Sequence, residues 1–196
     1  MTRGTTISDT TTSQQQTAPG GSAGLPSRLH HTAYVTRDQV ATRHFYEDLI
    51  GLPLVATWTE VDELFGAERV YCHTFFGLGD GSALAFFQFA NPEDQEQFGP
   101  EMPATPFVHI ALRVTREVQD AIEGRLNAAG WRPEETYVLQ HGYCRSLYVP
   151  DPNGLLLEFT VDAPNAEAIA ATRRQQADAD LARWLGGDHS SNNTYR

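Results

Sequence analysis

The sequence predicts an α+β fold made of two βαβββ modules followed by a C-terminal helix. Three observations carry this reading. Strand-like and helix-like segments occur twice in the same order, the two copies share local wording at matching places, and the last long periodic segment falls outside both. A chain of 196 residues with 40% apolar content has enough material for one or two small domains with a core.

Residues 1–26 are rich in Thr, Ser, Gln, Gly and Pro, a composition that cannot offset its ordering entropy by burial, and are expected to be a disordered tail. Module one is placed at 27–92. It opens with LHHTAYV (29–35), a β-like run. DQVATRHFYEDLIG (38–51) follows at helical spacing and closes on Gly51. A strand is expected at LPLVATW (52–58), then two more in 69–90 around the turn GDG. Module two is placed at 104–162, and it repeats the order. PFVHIALRV (106–114) is a strand, EVQDAIEGRLNAAG (117–130) puts Val118, Ile122 and Leu126 on one helical face, and 136–161 supplies strands around DPNG. HTA answers HIA, YCHTFF answers YCRSLY, and GDGSALAF answers DPNGLLLEF, so one duplication accounts for all three matches. The segment 163–196 holds a helix at 166–185 and a polar tail after Gly186 and Gly187.

Composition narrows the function. A net charge of −11 with no clustered Lys or Arg excludes a nucleic-acid binder, and a small neutral or chelated substrate is the partner to expect. No apolar run is long enough to cross a bilayer and the N-terminus lacks a secretory pattern, so the cytoplasm is the expected compartment. Cys72 and Cys144 follow no metal-binding spacing and are expected to be reduced.

Each module starts with a strand bearing a histidine, His31 and His109. In the last strand, period two puts Leu155, Leu157, Phe159 and Val161 on one face and Glu158 on the other with Leu156 and Thr160. A carboxylate there is costly unless it is paired, hydrogen-bonded or bound to a metal. Two imidazoles and one carboxylate on separate strands form a set that suits Fe(II) and leaves positions open for other ligands; the same set accepts Mn(II). Taken singly, each residue also fits a structural role, and Glu158 also fits a salt bridge.

The repeated unit resembles the vicinal oxygen chelate (glyoxalase/bleomycin resistance) superfamily over residues 28–162. The stretch HGYCRSLYVPDPNGLLLE, with His141, Leu147, Tyr148, Asp151, Pro152, Gly154 and Glu158 in place, is similar to the signature of type I extradiol ring-cleaving dioxygenases. Leu139 departs from it. The chain looks like the small one-domain kind, among which are L-DOPA dioxygenases of actinobacterial pathways. The resemblance implies a half-barrel around one metal site, Fe(II) held by His31, His109 and Glu158, His141 as acid-base residue and Tyr148 as donor to a substrate oxygen. It implies a catechol and O2 as substrates, cleaved to a muconic semialdehyde type product.

Two departures bear on the choice of reaction. Laying GSALAFF on GLLLEFT puts Ala85 opposite Glu158, where glyoxalases of the superfamily have a fourth ligand; Gln88 fills that role only if the register slips. The extradiol family also tends to carry a further histidine, for which His73 is the candidate. The pairing of YCHT with YCRS aligns His73 with Arg145, whose parity is opposite to that of Tyr148, so without a bulge His73 is expected to face away. The competing readings are a glyoxalase or thiol-transferase type metalloenzyme and a metal-free drug-binding protein. A monomer can hold all three ligands, and a homodimer can exchange modules. One unbroken strand would turn His141 and Tyr148 opposite ways, so a bend is expected near Gly142, and the C-terminal tail is a candidate to offer His189, Asn193, Tyr195 or Arg196 to the substrate.

Overall fold

The computed structural model describes residue 24 and residues 26–103, 105–132 and 136–196; the N-terminal segment expected to be disordered lies outside them apart from Gly24 and Pro26. Strand β1 (His31–Val35) leads into α1 (Gln39–Arg43), which widens into a π-helical segment over His44–Ile50. Asp38 starts the helix, its carboxylate accepting from the amides of Val40 and Ala41 at 2.8 and 3.0 Å. Gly51 stops it at φ 91°, a conformation that lets the amides of Gly51 and Leu52 both reach the Tyr46 carbonyl. Strands β2 (Leu54–Leu64), β3 (Ala67–Gly77) and β4 (Ala83–Phe89) complete module one, and a short helix α2 (Pro92–Phe98) follows. Module two runs β5 (His109–Arg113), α3 (Arg116–Ala128), β6 (Tyr137–Gln140), β7 (Cys144–Pro150) and β8 (Leu156–Asp162), and helix α4 (Ala166–Leu185) closes the chain.

The two modules give two four-stranded mixed sheets of one topology, β1-β4-β3-β2 and β5-β8-β7-β6, which is an α+β fold with a C-terminal helix. Each first strand pairs in parallel with the last strand of its own module and forms a sheet edge. Register makes the duplication concrete: Ala33 stands opposite Ala85 in one sheet as Ala111 stands opposite Glu158 in the other.

Both sheets bury the face turned to the helices. Phe76, Leu84 and Phe86 from module one and Leu147, Val149, Leu157 and Phe159 from module two join Phe45, Tyr46, Ile122 and Leu126 of the helices in one core. The modules are also tied by polar bonds. Arg125 donates to the carbonyls of Leu49 and Ile50 at 2.7 Å each, satisfying helix-end acceptors of the other module. The buried Tyr46 hydroxyl donates to Asp151 at 3.0 Å, while the amides of Asn153 and Leu155 bond the same carboxylate at 2.8 Å. Asp151 of the DPNG turn thus knots the modules together, and burial raises its pKa against those hydrogen bonds.

Candidate metal and acid-base site

On the open face of module two, Glu158 of β8 lies between Ala111 of β5 and Tyr148 of β7, and Tyr148 in turn faces Tyr137 of β6. His109, two residues before Ala111, points the same way. Its Nδ1 donates to the Pro106 carbonyl at 2.9 Å, since a carbonyl only accepts. That leaves Nε2 facing the Glu158 Oε2 at 3.0 Å. Two acceptors at this distance require a positive species between them, a proton or a metal ion. Nitrogen and oxygen donors each about 2.1 Å from one cation and at right angles stand about 3.0 Å apart, so the pair fits a divalent metal. Glu158 is 7% exposed, so its charge must be met within the site; Thr160 supplies one hydroxyl at 3.2 Å.

His141 joins this group. The chain leaves β6 at Gln140, turns through His141–Tyr143 with Gly142 at φ 83°, and re-enters as β7 at Cys144. This break brings the His141 Nε2 to 3.2 Å from the Tyr148 hydroxyl despite the seven-residue step. Burial, and then the hydrogen bond and charge of Glu158, push the Tyr148 phenol up to about 12. Tyr148 therefore remains a neutral donor. Its ring is held by Tyr137, stacked at 4.8 Å, and by an edge contact with His109 at 5.8 Å.

The open face of module one carries His31, Ala33 and Val35 of β1, Ala85 and Phe87 of β4, and His73 and Phe75 of β3. His31 has Phe75 and His73 as ring neighbours at 5.6 and 6.4 Å, and its Nδ1 lies 2.8 Å from the Nδ1 of His30. In both His31 and His109 the Nδ1 is engaged and Nε2 is left for a ligand role, the arrangement that fixes metal-binding imidazoles. His73 packs between Phe87 at 3.7 Å and Phe75 at 4.2 Å, and its Nε2 is buried with no partner. Burial lowers its pKa, with Glu60 opposing and His31 adding to the shift.

One expectation needs correction. His73 was expected to share the parity of Arg145 and face away. Instead, Arg145 turns to the helix side and bonds Gln119 and Glu123, while His73 lies on the open face. Strand register, not matching letters, decides this: Phe75 opposes Ala85 as Tyr148 opposes Glu158, so the structural equivalence is offset by one residue from YCHT/YCRS. The three residues named as ligands, which either one chain or two chains exchanging modules can unite, stand divided within this chain. The structure brings His109 and Glu158 together and leaves His31 with His30, His73 and Phe75, and among the described residues no three His, Cys, Asp or Glu side chains converge on one point.

There is no register slip at Gln88, which turns to the helix side, accepting from the Gln39 amide and donating to the Arg37 carbonyl. Among the described residues both cysteines are unpaired, and no helix is long and apolar enough to cross a membrane. The sequence does not single out His30, which adjoins His31 with the opposite strand parity, or the two ring supports Tyr137 and Tyr143, the latter stacked 5.9 Å from His141. Counting outward from the Gly142 turn would have put Tyr137 opposite Tyr148.

A family model described as the Glyoxalase/Bleomycin resistance protein/Dioxygenase superfamily matches residues 28–159. The uncharacterized protein YwbC of Bacillus subtilis (strain 168) is 28% identical over 136 residues, which span 69% of this chain and 98% of that protein. Among solved structures, the fosfomycin resistance protein FosX of Listeria monocytogenes, complexed with Mn(II) and sulfate, aligns with a TM-score of 0.50 at 18% identity, over 74% of this chain and 99% of that one. A glyoxylase/bleomycin resistance protein/dioxygenase domain from Frankia sp. EAN1pec aligns with a TM-score of 0.52 at 15% identity, over 71% of this chain and 94% of that one. Both structural likenesses concern the fold.

Proposed function

The chain belongs to the Glyoxalase/Bleomycin resistance protein/Dioxygenase superfamily, a superfamily of metalloenzymes in the main, and from that premise we propose that it is an Fe(II)-dependent extradiol dioxygenase that opens a catechol ring with O2. The observation that carries this reading is the His141 to Tyr148 contact at 3.2 Å beside the His109 and Glu158 pair. A proton-handling imidazole and a neutral phenol next to a carboxylate and imidazole donor set suit a substrate that arrives with two vicinal hydroxyls. Alanine at position 85, fully buried opposite Ala33 and Phe75, supplies no fourth ligand, which favours a site that keeps positions open.

His31, His109 and Glu158 would hold the cation. Fe(II) there would supply adjacent positions for the two catechol oxygens and for dioxygen, and the redox capacity to join them. The chain's own residues do the rest. Tyr148 orients one substrate oxygen through its hydroxyl, which stands 3.2 Å from the His141 Nε2. His141 accepts and returns the protons that the diol gives up and the opened ring takes back. The open face of module one, with Phe75, Phe87 and Trp58, provides an apolar wall that excludes water from the ring. His73, whose buried Nε2 has no protein partner, is the residue of that wall suited to bind a polar atom of the substrate. Both oxygen atoms of O2 end in a muconic semialdehyde type product; L-DOPA is one catechol of this class.

Because His31 lies apart from His109 and Glu158, and because β1 and β5, the strands that carry the two histidines, each form one free edge of their sheets, the proposed site unites His31 of one copy with His109 and Glu158 of a second. Anaerobic protein loaded with Fe(II) and then given catechol, L-DOPA and air should consume oxygen and form a yellow product. No oxygen uptake across a broad catechol panel, with turnover of a glyoxal or epoxide substrate under Zn(II) or Ni(II), would replace this reading with the isomerase or transferase one.

A further inference from the structure

We propose that the end of the C-terminal tail is a clamp on the turn that carries His141, with Asn193 and Tyr195 as its positioning residues; this rests on the reading of His141 as the proton-handling group. The first observation is how little else holds the C-terminal arm. Helix α4 runs 20 residues, yet Ile169 is its one buried residue. The chain reverses at Gly186 and Gly187 and returns along the helix. Arg183 bonds Ser190 at 2.8 Å and pairs with Asp188 at 3.1 Å; Arg173 donates to the Asn192 carbonyl at 2.8 Å and lies 5.5 Å over the Tyr195 ring. The helix thus serves as a strut that aims the tail.

The second observation is where the tail ends. The Asn193 Nδ2 donates to the His141 carbonyl at 3.4 Å, and the Asn193 Oδ1 accepts from the Tyr195 amide at 3.1 Å, fixing the bend between them. Tyr195 then presses its main chain onto Gly142 so closely that a Cβ at position 142 would collide with the Tyr195 carbonyl. Position 142 therefore requires glycine twice, for its positive φ and for this approach. The His141–Tyr143 turn belongs to no strand and is held internally by the His141 amide to the Cys144 carbonyl at 2.9 Å. From outside, the Ala163 amide bonds the Tyr143 carbonyl at 2.8 Å, and the tail adds a second hold at the other end of the turn, on His141 and Gly142.

The third observation is what the clamp closes. A cavity of about 950 Å³ lies between Tyr143, the first turns of α4, the tail at Asn192, Asn193 and Tyr195, and the ends of β5 and β8 at Arg113 and Asp162. Arg113 and Asp162 share the open face with His109 and Glu158, each four residues further along, or about 13 Å at strand rise. The tail therefore walls the far end of the same face on which the site is built, and the clamp sits between cavity and site.

The test uses the full chain beside N193A and a chain ending at Asn192, which keeps the Arg173 to Asn192 bond. Ring signals of 13C-labelled histidines are assigned with H141Q, and backbone exchange is followed at residues 142–144. The proposal expects both variants to move or broaden the His141 signal and to speed exchange at the turn about tenfold or more. The signals of His31, His73 and His109 and the melting temperature should stay as in the full chain. Unchanged His141 signal and exchange, or a uniform change in all histidines with a lowered melting temperature, would overturn it. If catechol cleavage is found, kcat should fall about tenfold in both variants with KM little changed. Failure of the parent chain to cleave any catechol removes the function reading and leaves the two spectroscopic arms to decide the clamp.

Discussion

The two modules share one topology and one register, yet they divide the work. In module two the row formed by the second position after the leading histidine reads Ala111, Glu158, Tyr148, Tyr137 across the sheet. The corresponding row of module one begins Ala33, Ala85, Phe75. The carboxylate and phenol of one copy are replaced by a methyl group and a phenyl ring in the other. A duplicated scaffold can thus keep both cores while one open face loses its chemistry and becomes an apolar wall, because the helix side and the open side of a strand vary independently. The polar groups that remain on the open face of module one stand in other rows: His31, with His30 behind its Nδ1, His73 further along the face, and Tyr71 bonded to Glu60 and Asp62.

This division can be broken by comparing a histidine of each module. His141→Gln should lower kcat for catechol cleavage on the order of 10² to 10⁴-fold with metal content unchanged, the range for losing a general acid-base group. His73→Gln should instead act mainly on KM, raising it about tenfold, as expected of a wall residue that binds without moving protons. Equal losses in both variants, read from steady-state kinetics, would end the distinction.

A smaller effect sharpens it. His30→Ala removes the partner of the His31 Nδ1 and should weaken metal binding about tenfold, the low end of the range for an outer partner of a ligand. Isothermal titration with Mn(II), which needs no oxygen-sensitive handling, reads this directly; affinity unchanged within twofold would make His30 a bystander.

The smallest effect is a titration. The Tyr148 phenol is raised above the ordinary 10 to about 12 by burial and by Glu158. A group whose folded pKa is raised favours folding below its unfolded pKa, and that contribution is lost as pH rises from 10 through about 12. The difference in phenolate absorbance between metal-free parent and Tyr148→Phe should therefore rise with a midpoint near 12. A midpoint near 10 would mean that the phenol is open to solvent.

Much of this was legible in the sequence. The repeat gave the topology, period two gave the faces of β8, and the α4 bounds follow from its helical spacing and Gly186. What escaped had physical causes. Strand β2 extends to Leu64, past the apolar run LPLVATW, because TEVDEL sits on an exposed hairpin whose tight turn at Phe65 and Gly66 takes φ 54° and 80°. Helix α2, PEDQEQF, is nearly all polar and shows no apolar period; its Asn91 cap and Pro92 were the available signal. The face of His73 depended on hairpin register, which letters do not encode. Nothing local could tell whether His31 meets Glu158 in its own chain, since identical strands supply either arrangement.

The central claim is that module one of one copy completes the site of module two in another, and complementation tests it most directly. Differently tagged His31→Ala and Glu158→Gln chains are co-expressed, and the mixed dimer is isolated and assayed for bound metal and catechol cleavage. Neither variant alone should bind stoichiometric metal. The mixed dimer should bind one ion per dimer and recover catechol cleavage, since it pairs intact His109 and Glu158 of the first chain with intact His31 of the second. A mixed dimer as empty and inactive as its parents would contradict the account.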